Sequence, residues 1–198
     1  MRKLRIVLCD LSYDIKSMQG SLYVPLGVGY LAAYVHKKYA GLIDIKIFKD
    51  PIKLFEYFKI ARADVIGFSH YFWNSSLNEM VIKKIRREYR ENIKIVLGGP
   101  SIDSDAEVLL HTCNMFPEVD YFVMNEGEMG FANIVGMLLS GKNTTTAIDG
   151  VAFKQDSKLF CGKNIGLSTE LATLDSPYLH GFMDPFMQGE YLVTVGKL

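Results

Sequence analysis

Short apolar runs rich in valine and isoleucine recur along this chain: Leu4–Leu8, Ile43–Phe48, Val65–Phe68, Ile93–Leu97 and Tyr121–Met124. They return at about thirty-residue intervals, the length of one strand–helix unit. Nearly continuous hydrophobicity over so few residues predicts strands buried on both faces. The segments between them follow a different period. Leu77, Met80, Val81, Ile85 and Tyr89 share one helical face, with Lys83, Lys84, Arg86 and Arg87 on the remainder. Phe131, Ile134, Val135, Leu138 and Leu139 repeat the three-and-four spacing of a packed helix. Strict alternation of strand and helix leaves a parallel sheet covered on both faces as the expected architecture.

Punctuation agrees with this reading. Pro25 and Pro51 suit first helical turns, Asp50 suits an N-cap, and Gly141 suits a helix stop. Right-handed crossovers through five such units predict a flavodoxin-like (Rossmann-like), doubly wound, five-stranded sheet of order 2-1-3-4-5. The rhythm breaks after Gly141. Ile148–Phe153 and Lys158–Cys161, joined through Gln155-Asp156-Ser157, read as a β-hairpin, and Leu171–Gln188 reads as a connector. The expected organisation is therefore a binding domain over 1–141 and a hairpin and linker over 142–198.

Composition narrows the function. Lys+Arg and Asp+Glu both number 22, which supplies no basic footprint for nucleic acid. No stretch approaches the roughly 20 apolar residues of a membrane helix, and the N-terminal apolar run ends early at Asp10, so a cytoplasmic protein without membrane or nucleic-acid partners is expected. Cys9, Cys113 and Cys161 are far apart and form neither a zinc spacing nor a redox pair. His36, His70, His111 and His180 show no metal-binding spacing, and His70 reads as a loop histidine.

Ligand crevices of open α/β sheets form at the carboxyl ends of strands, and three signals sit there: Pro25-Leu26-Gly27, Ser69-His70-Tyr71 and Gly98-Gly99-Pro100. Their wide separation suits a long, flat ligand with a tail. Two glycines after the fourth strand serve either a tight turn or close approach of a ligand to bare backbone. Ser69 can donate to a ring nitrogen or phosphate, or cap a helix. Tyr71, Phe72 and Trp73 cannot all point inward, so at least one should border a groove or a partner. Asn74 or Ser75 can cap the next helix. Glu126 would project into the crevice, whereas Glu128 has a sufficient reason in the helix dipole.

Taken together, Pro25–Tyr34, Asp64–Ser69 with Trp73-Asn74, Val96–Pro100, and Val119–Val123 running into Glu126-Gly127-Glu128 resemble the cobalamin-binding module of cobalamin-dependent radical S-adenosylmethionine (SAM) enzymes. Ser176-Pro177-Tyr178-Leu179 with Gly181 resembles that family's link to its barrel. The resemblance implies cobalamin as cofactor, with Pro25, Leu26, Gly27, Ser69, Tyr71, Trp73, Asn74, Gly98, Gly99, Pro100, Glu126 and Gly127 as binding residues. The wider cobalamin family pairs an Asp-x-His-x-x-Gly loop with a Ser-x-Leu turn and a glycine pair. Aligning its glycine on Gly27 places the serine on Ser69 and the pair on Gly98-Gly99, with Tyr71 where leucine is usual. The cobalt-ligating histidine then falls on Val24, which cannot coordinate metal. S-adenosylmethionine and a 4Fe–4S cluster are implied only for a following C-terminal radical SAM barrel, because CxxxCxxC is absent here. The chain is therefore expected to be a fragment without catalysis of its own. A flavodoxin-like flavin carrier would instead need a dense phosphate loop, but Ser12, Ser17, Gly20 and Ser21 are dispersed. A signalling receiver would need an acceptor aspartate where Ser69 stands. A ligand-free interaction domain is the remaining alternative.

Overall fold

The computed structural model describes residues 2–13, 24–89, 93–141, 146–156, 158–165 and 174–187. The dispersed serines of the first loop at 14–23, Ser157 of the hairpin turn and the C-terminal residues 188–198 lie outside them. Strands β1 (Leu4–Cys9), β2 (Ile43–Phe48), β3 (Val65–Ser69), β4 (Lys94–Gly98) and β5 (Tyr121–Val123) alternate with helices α1 (Leu26–Lys38), α2 (Pro51–Ile60), α3 (Ser75–Tyr89), α4 (Ala106–Met115) and α5 (Gly127–Leu139). Strands β6 (Val151–Gln155) and β7 (Lys158–Cys161) and the short α6 (Asp184–Met187) follow. The sheet order is β2-β1-β3-β4-β5-β6-β7, with the first five strands parallel and the last two antiparallel. The flavodoxin-like order is present, extended at one edge by the hairpin.

Two hydrophobic layers flank the sheet because side chains alternate along each strand. Val7, Ile66, Ile95 and Leu97 meet α2, α3 and α4 through Leu54, Val81, Ile85 and Leu109. Ile6, Leu8, Val65, Val96 and Val123 meet α1 and α5 through Val28, Ala32, Phe131 and Val135. Each fully buried residue of this size contributes roughly 1.5–3 kcal/mol of burial energy. The direction of winding reverses between β1 and β3, which places a topological switch point beside α1.

Local chemistry sets most element ends. Asp50 caps α2 by accepting from Ile52 N at 2.7 Å, with Pro51 as first helical residue. Gly141 lies past the end of α5 at φ 65°. Pro25 stands one residue earlier than its expected place, at the N-cap of α1. In α3 the packed face is Leu77, Asn78, Val81, Ile82 and Ile85, while Met80 is 61% exposed. The inward stripe keeps the expected Leu77, Val81 and Ile85 but takes in Asn78 and Ile82 instead of Met80, with Asn78 held inside by hydrogen bonds described below. The hairpin begins at Val151, not Ile148: Val151 N donates to Ile148 O at 3.0 Å, closing a turn over Asp149 and Gly150. Gly150 supplies the positive φ of 77° that this turn uses. The hairpin pairs with β5 through Phe122 opposite Ala152 and Val123 opposite Val151, so it continues the sheet.

Beyond the hairpin, Ser176–Met187 folds back onto α1. Met183 is fully buried, and a Cβ on Gly29 would stand 2.7 Å from its Cε and 3.2 Å from Pro177 Cβ. Lys37 meets Asp175 at 2.8 Å, and His180 meets the same carboxylate at 3.2 Å. Among the described residues, no helix is long and apolar enough to cross a membrane.

Candidate functional site: a cavity at the carboxyl edge of the sheet

A cavity of about 260 Å³ opens at the carboxyl ends of β1, β3, β4 and β5, between the N-terminal halves of α1 and α5. That size is near the lower end of the ~300–1,000 Å³ typical of small-molecule sites. Strand register explains where it sits. Gly67 lies between Leu8 and Val96, and Ser69 lies opposite Gly98, which in turn lies opposite Val123. All of them face α1 and α5, so two glycines thin the sheet's surface under one gap between helices.

The glycines act differently. Among the described residues a Cβ on Gly27 would meet only Tyr71 Oη, at 3.9 Å, so its bare backbone is left open by them. A Cβ on Gly98 would lie 3.3 Å from Val123 Cβ, and one on Gly67 would press Leu8 Cδ2 at 3.0 Å and Phe131 at 3.3 Å. Gly99 has φ 116°, and its Cβ would stand 2.9 Å from His70 N and 3.0 Å from His70 O. His70 N donates to Gly98 O at 2.6 Å, and Ser101 N donates to His70 O at 3.3 Å. Gly99 therefore locks the β4 turn to the β3 turn. The turn use of the glycine pair is thus seen at Gly99, while Gly98 lies on the cavity lining.

The aromatic loop after β3 is organised by an asparagine. Asn74 is fully buried. Its Oδ1 accepts from Tyr71 N at 2.9 Å, and its Nδ2 donates to Ser69 O at 3.0 Å and Leu11 O at 3.3 Å. Asn78 Nδ2 adds bonds to Ser69 O at 3.0 Å and to Asn74 Oδ1 at 3.2 Å. Asn74 O also accepts from Asn78 N at 2.8 Å, so this residue sits at the N-cap of α3 with its side chain turned back into the loop. Asn74→Ala is expected to cost roughly 2 kcal/mol, because buried backbone groups lose their partners. Chemical denaturation checks this; an unchanged midpoint would mean that the loop is held by other contacts.

Tyr71 lines the cavity and stacks on Trp73 at 4.3 Å and 12°. Phe72 packs edge-on against Trp73 and is 83% exposed. Of the expected binding residues, Gly27, Ser69, Tyr71, Gly98, Gly99, Pro100, Glu126 and Gly127 come together around the cavity. Pro25, Leu26, Trp73 and Asn74 are absent from its lining. Pro25 and Leu26 set the start of α1, Trp73 backs Tyr71, and Asn74 braces the loop. His70 is buried against Phe116, their rings 5.1 Å apart and T-shaped, and also lies off the lining. Burial lowers its pKa.

Several lining residues escape sequence reasoning: Leu8, Val28, Leu31, Gly67, Val96, Val123 and Phe131 at the inner end, Asn125 and Glu128 at the mouth. Gly67 carried a signal, since a glycine within a strand marks close approach. Asn125 adopts φ 55° and bonds Asn164, a backbone region asparagine tolerates. Burial raises the Glu128 carboxyl above its ordinary value, and Glu126 pushes the same way. A carboxyl whose folded pKa is raised adds stability below its unfolded pKa and loses it as pH climbs through the folded value. Glu128→Gln is therefore expected to unfold at a higher temperature than the parent at pH 7, with the gap closing towards pH 4. Parallel melting curves across that range would refute a desolvated carboxylate.

The B12 binding domain family matches residues 18–135. This chain belongs to that family. It is 28% identical over 162 residues to an uncharacterised methyltransferase of Pyrococcus horikoshii, covering 79% of this chain and 34% of the relative. It is 28% identical over 172 residues to the cobalamin-dependent radical SAM methyltransferase TokK of Streptomyces tokunonensis, covering 82% of this chain and 24% of the relative. The radical S-adenosylmethionine methyltransferase TsrM of Kitasatospora setae, solved with cobalamin and a 4Fe–4S cluster, superposes with a TM-score of 0.63 at 14% identity, over 88% of this chain and 31% of that one. That likeness is one of fold. The chain thus spans about a quarter to a third of the length of these proteins. For a B12-binding domain the cavity has a fitting form: bare backbone at Gly27 and Gly98, an apolar interior, and hydrogen-bonding groups at the mouth.

Proposed function

We propose that this chain is the cobalamin-binding module of a radical SAM methyltransferase-like enzyme, with residues 1–141 as the binding unit and 142–198 as hairpin and connector. The observation that carries the reading is the glycine-floored cavity between α1 and α5, at the sheet edge where such ligands lie. Gly27, Gly98 and the apolar interior would receive the nucleotide tail, and Ser69 would donate to it. Glu126 and Glu128 would accept from ribose hydroxyls or side-chain amides. When bound, cobalamin supplies a reactive cobalt–carbon centre; the protein's part is to bury the tail and present the corrin.

The lower face of the cobalt would lack an imidazole. Val24, where the ligating histidine would align, carries an isopropyl group. The His70 ring is packed against Phe116 and lies outside the cavity. S-adenosylmethionine and the 4Fe–4S cluster belong, on this reading, to a barrel reached through the segment docked on α1.

Mixing the purified chain with hydroxocobalamin, desalting it and recording corrin absorbance tests the proposal. Retained absorbance near one equivalent is the expected result, with no histidine-dependent change in the spectrum between the parent and a His70→Ala variant. Loss of all corrin on desalting would remove the reading for this chain.

A further inference from the structure

We infer that the cavity selects among cobamides by the base of their nucleotide tail, accepting a benzimidazole and rejecting a purine. This rests on the cobalamin reading above and concerns the same site.

The cavity is divided by polarity along its depth. Leu8, Val28, Val96, Val123 and Phe131 are buried and form the inner end with Leu31 and the backbone of Gly67. The polar lining side chains Ser69, Tyr71, Asn125, Glu126 and Glu128 are half-buried or exposed and stand at the mouth. Among the described residues the buried polar side chains are Lys49, His70, Asn74 and Asn78, and none of them lines the cavity. The strand backbone under the inner end is committed to the sheet, since Gly67 pairs with both Leu8 and Val96.

A dimethylbenzimidazole turns a wholly hydrocarbon edge away from its ribose. That edge suits walls with nothing to donate or accept. A purine carries ring nitrogens and, in adenine, an exocyclic amine on the corresponding edge. Placed here, these groups would give up water and find no replacement, and unmet buried polar groups are penalised. The discrimination belongs to the walls; the ribose and phosphate, common to both ligands, meet the same mouth.

Equilibrium dialysis of the chain against hydroxocobalamin, adeninylcobamide and tail-less cobinamide tests this. Hydroxocobalamin is expected to bind at least about tenfold more tightly than adeninylcobamide, the order found when an apolar pocket meets an added polar group. Cobinamide is expected to bind most weakly. Leu31→Gln, which brings an amide to a partly exposed wall position, is expected to narrow the ratio between the first two. Equal affinity for the two complete cobamides would overturn the inference and leave the cobalamin reading standing. Cobinamide binding as tightly as cobalamin would also overturn it, by placing the tail elsewhere. Failure of all three to bind would overturn the cobalamin reading itself, and the inference with it.

Discussion

A Gly27→Leu chain is expected to lose cobalamin affinity by at least about 100-fold, roughly 2.7 kcal/mol, while remaining as stable as its parent or more so. The two halves of this expectation have separate causes. Among the described residues a Cβ at this position meets nothing but Tyr71 Oη at 3.9 Å, so a leucine side chain extends over the cavity mouth without displacing any of their packed atoms. Gly27 lies in the first turn of α1, and replacing a helical glycine by a good helix former stabilises by roughly 0.5–1 kcal/mol. Gly98 is a poorer test, because its Cβ would press on Val123 and mix packing with occlusion. Dialysis against hydroxocobalamin, paired with a melting curve, reads both quantities. Undiminished binding in a folded Gly27→Leu chain would show that the ligand does not enter beside α1.

Gly99→Ala should have the opposite signature, a large loss of stability. The backbone at φ 116° is unfavourable for any residue with a Cβ, and that Cβ would stand 2.9–3.0 Å from the backbone of His70. Backbone cannot swing aside as a flexible side chain does. A cost of roughly 3–5 kcal/mol follows, equivalent to about 10 °C in the melting temperature of a domain this size. The β3 and β4 turns would separate, so Ser69 would lose its setting as well. A melting temperature within 2 °C of the parent's, outside the ~2–4 °C expected of even 1 kcal/mol, would show that the two turns are not locked through this residue. Together the two substitutions distinguish glycines that border open space from glycines that the backbone requires.

How much of the site was legible follows the same division. Gly27, Ser69 and Gly98 were readable because the end of a strand can be located from a local pattern, and a crevice at that edge is a property of the fold class. Trp73 and Asn74 were legible as notable residues but not in their roles. Whether an aromatic lines a cavity or backs its neighbour depends on the loop path, and that path depends on Asn74 reaching Leu11, 63 residues away. The burial that raises the Glu128 carboxyl is likewise a product of the tertiary fold, which no local pattern carries.

From the sequence alone come the five strand–helix units, their parallel pairing, and the strand ends at which small residues gather, since periodicity and turn chemistry act over a few neighbouring residues. Tertiary structure decided that Gly67 opens onto the same face as Gly98, that α1 and α5 part above them, and that the buried lining side chains among the described residues are apolar. The reason is strand register. Shifting one strand by a single residue turns every side chain to the other face, and which strands are neighbours is settled by contacts between segments far apart in the chain.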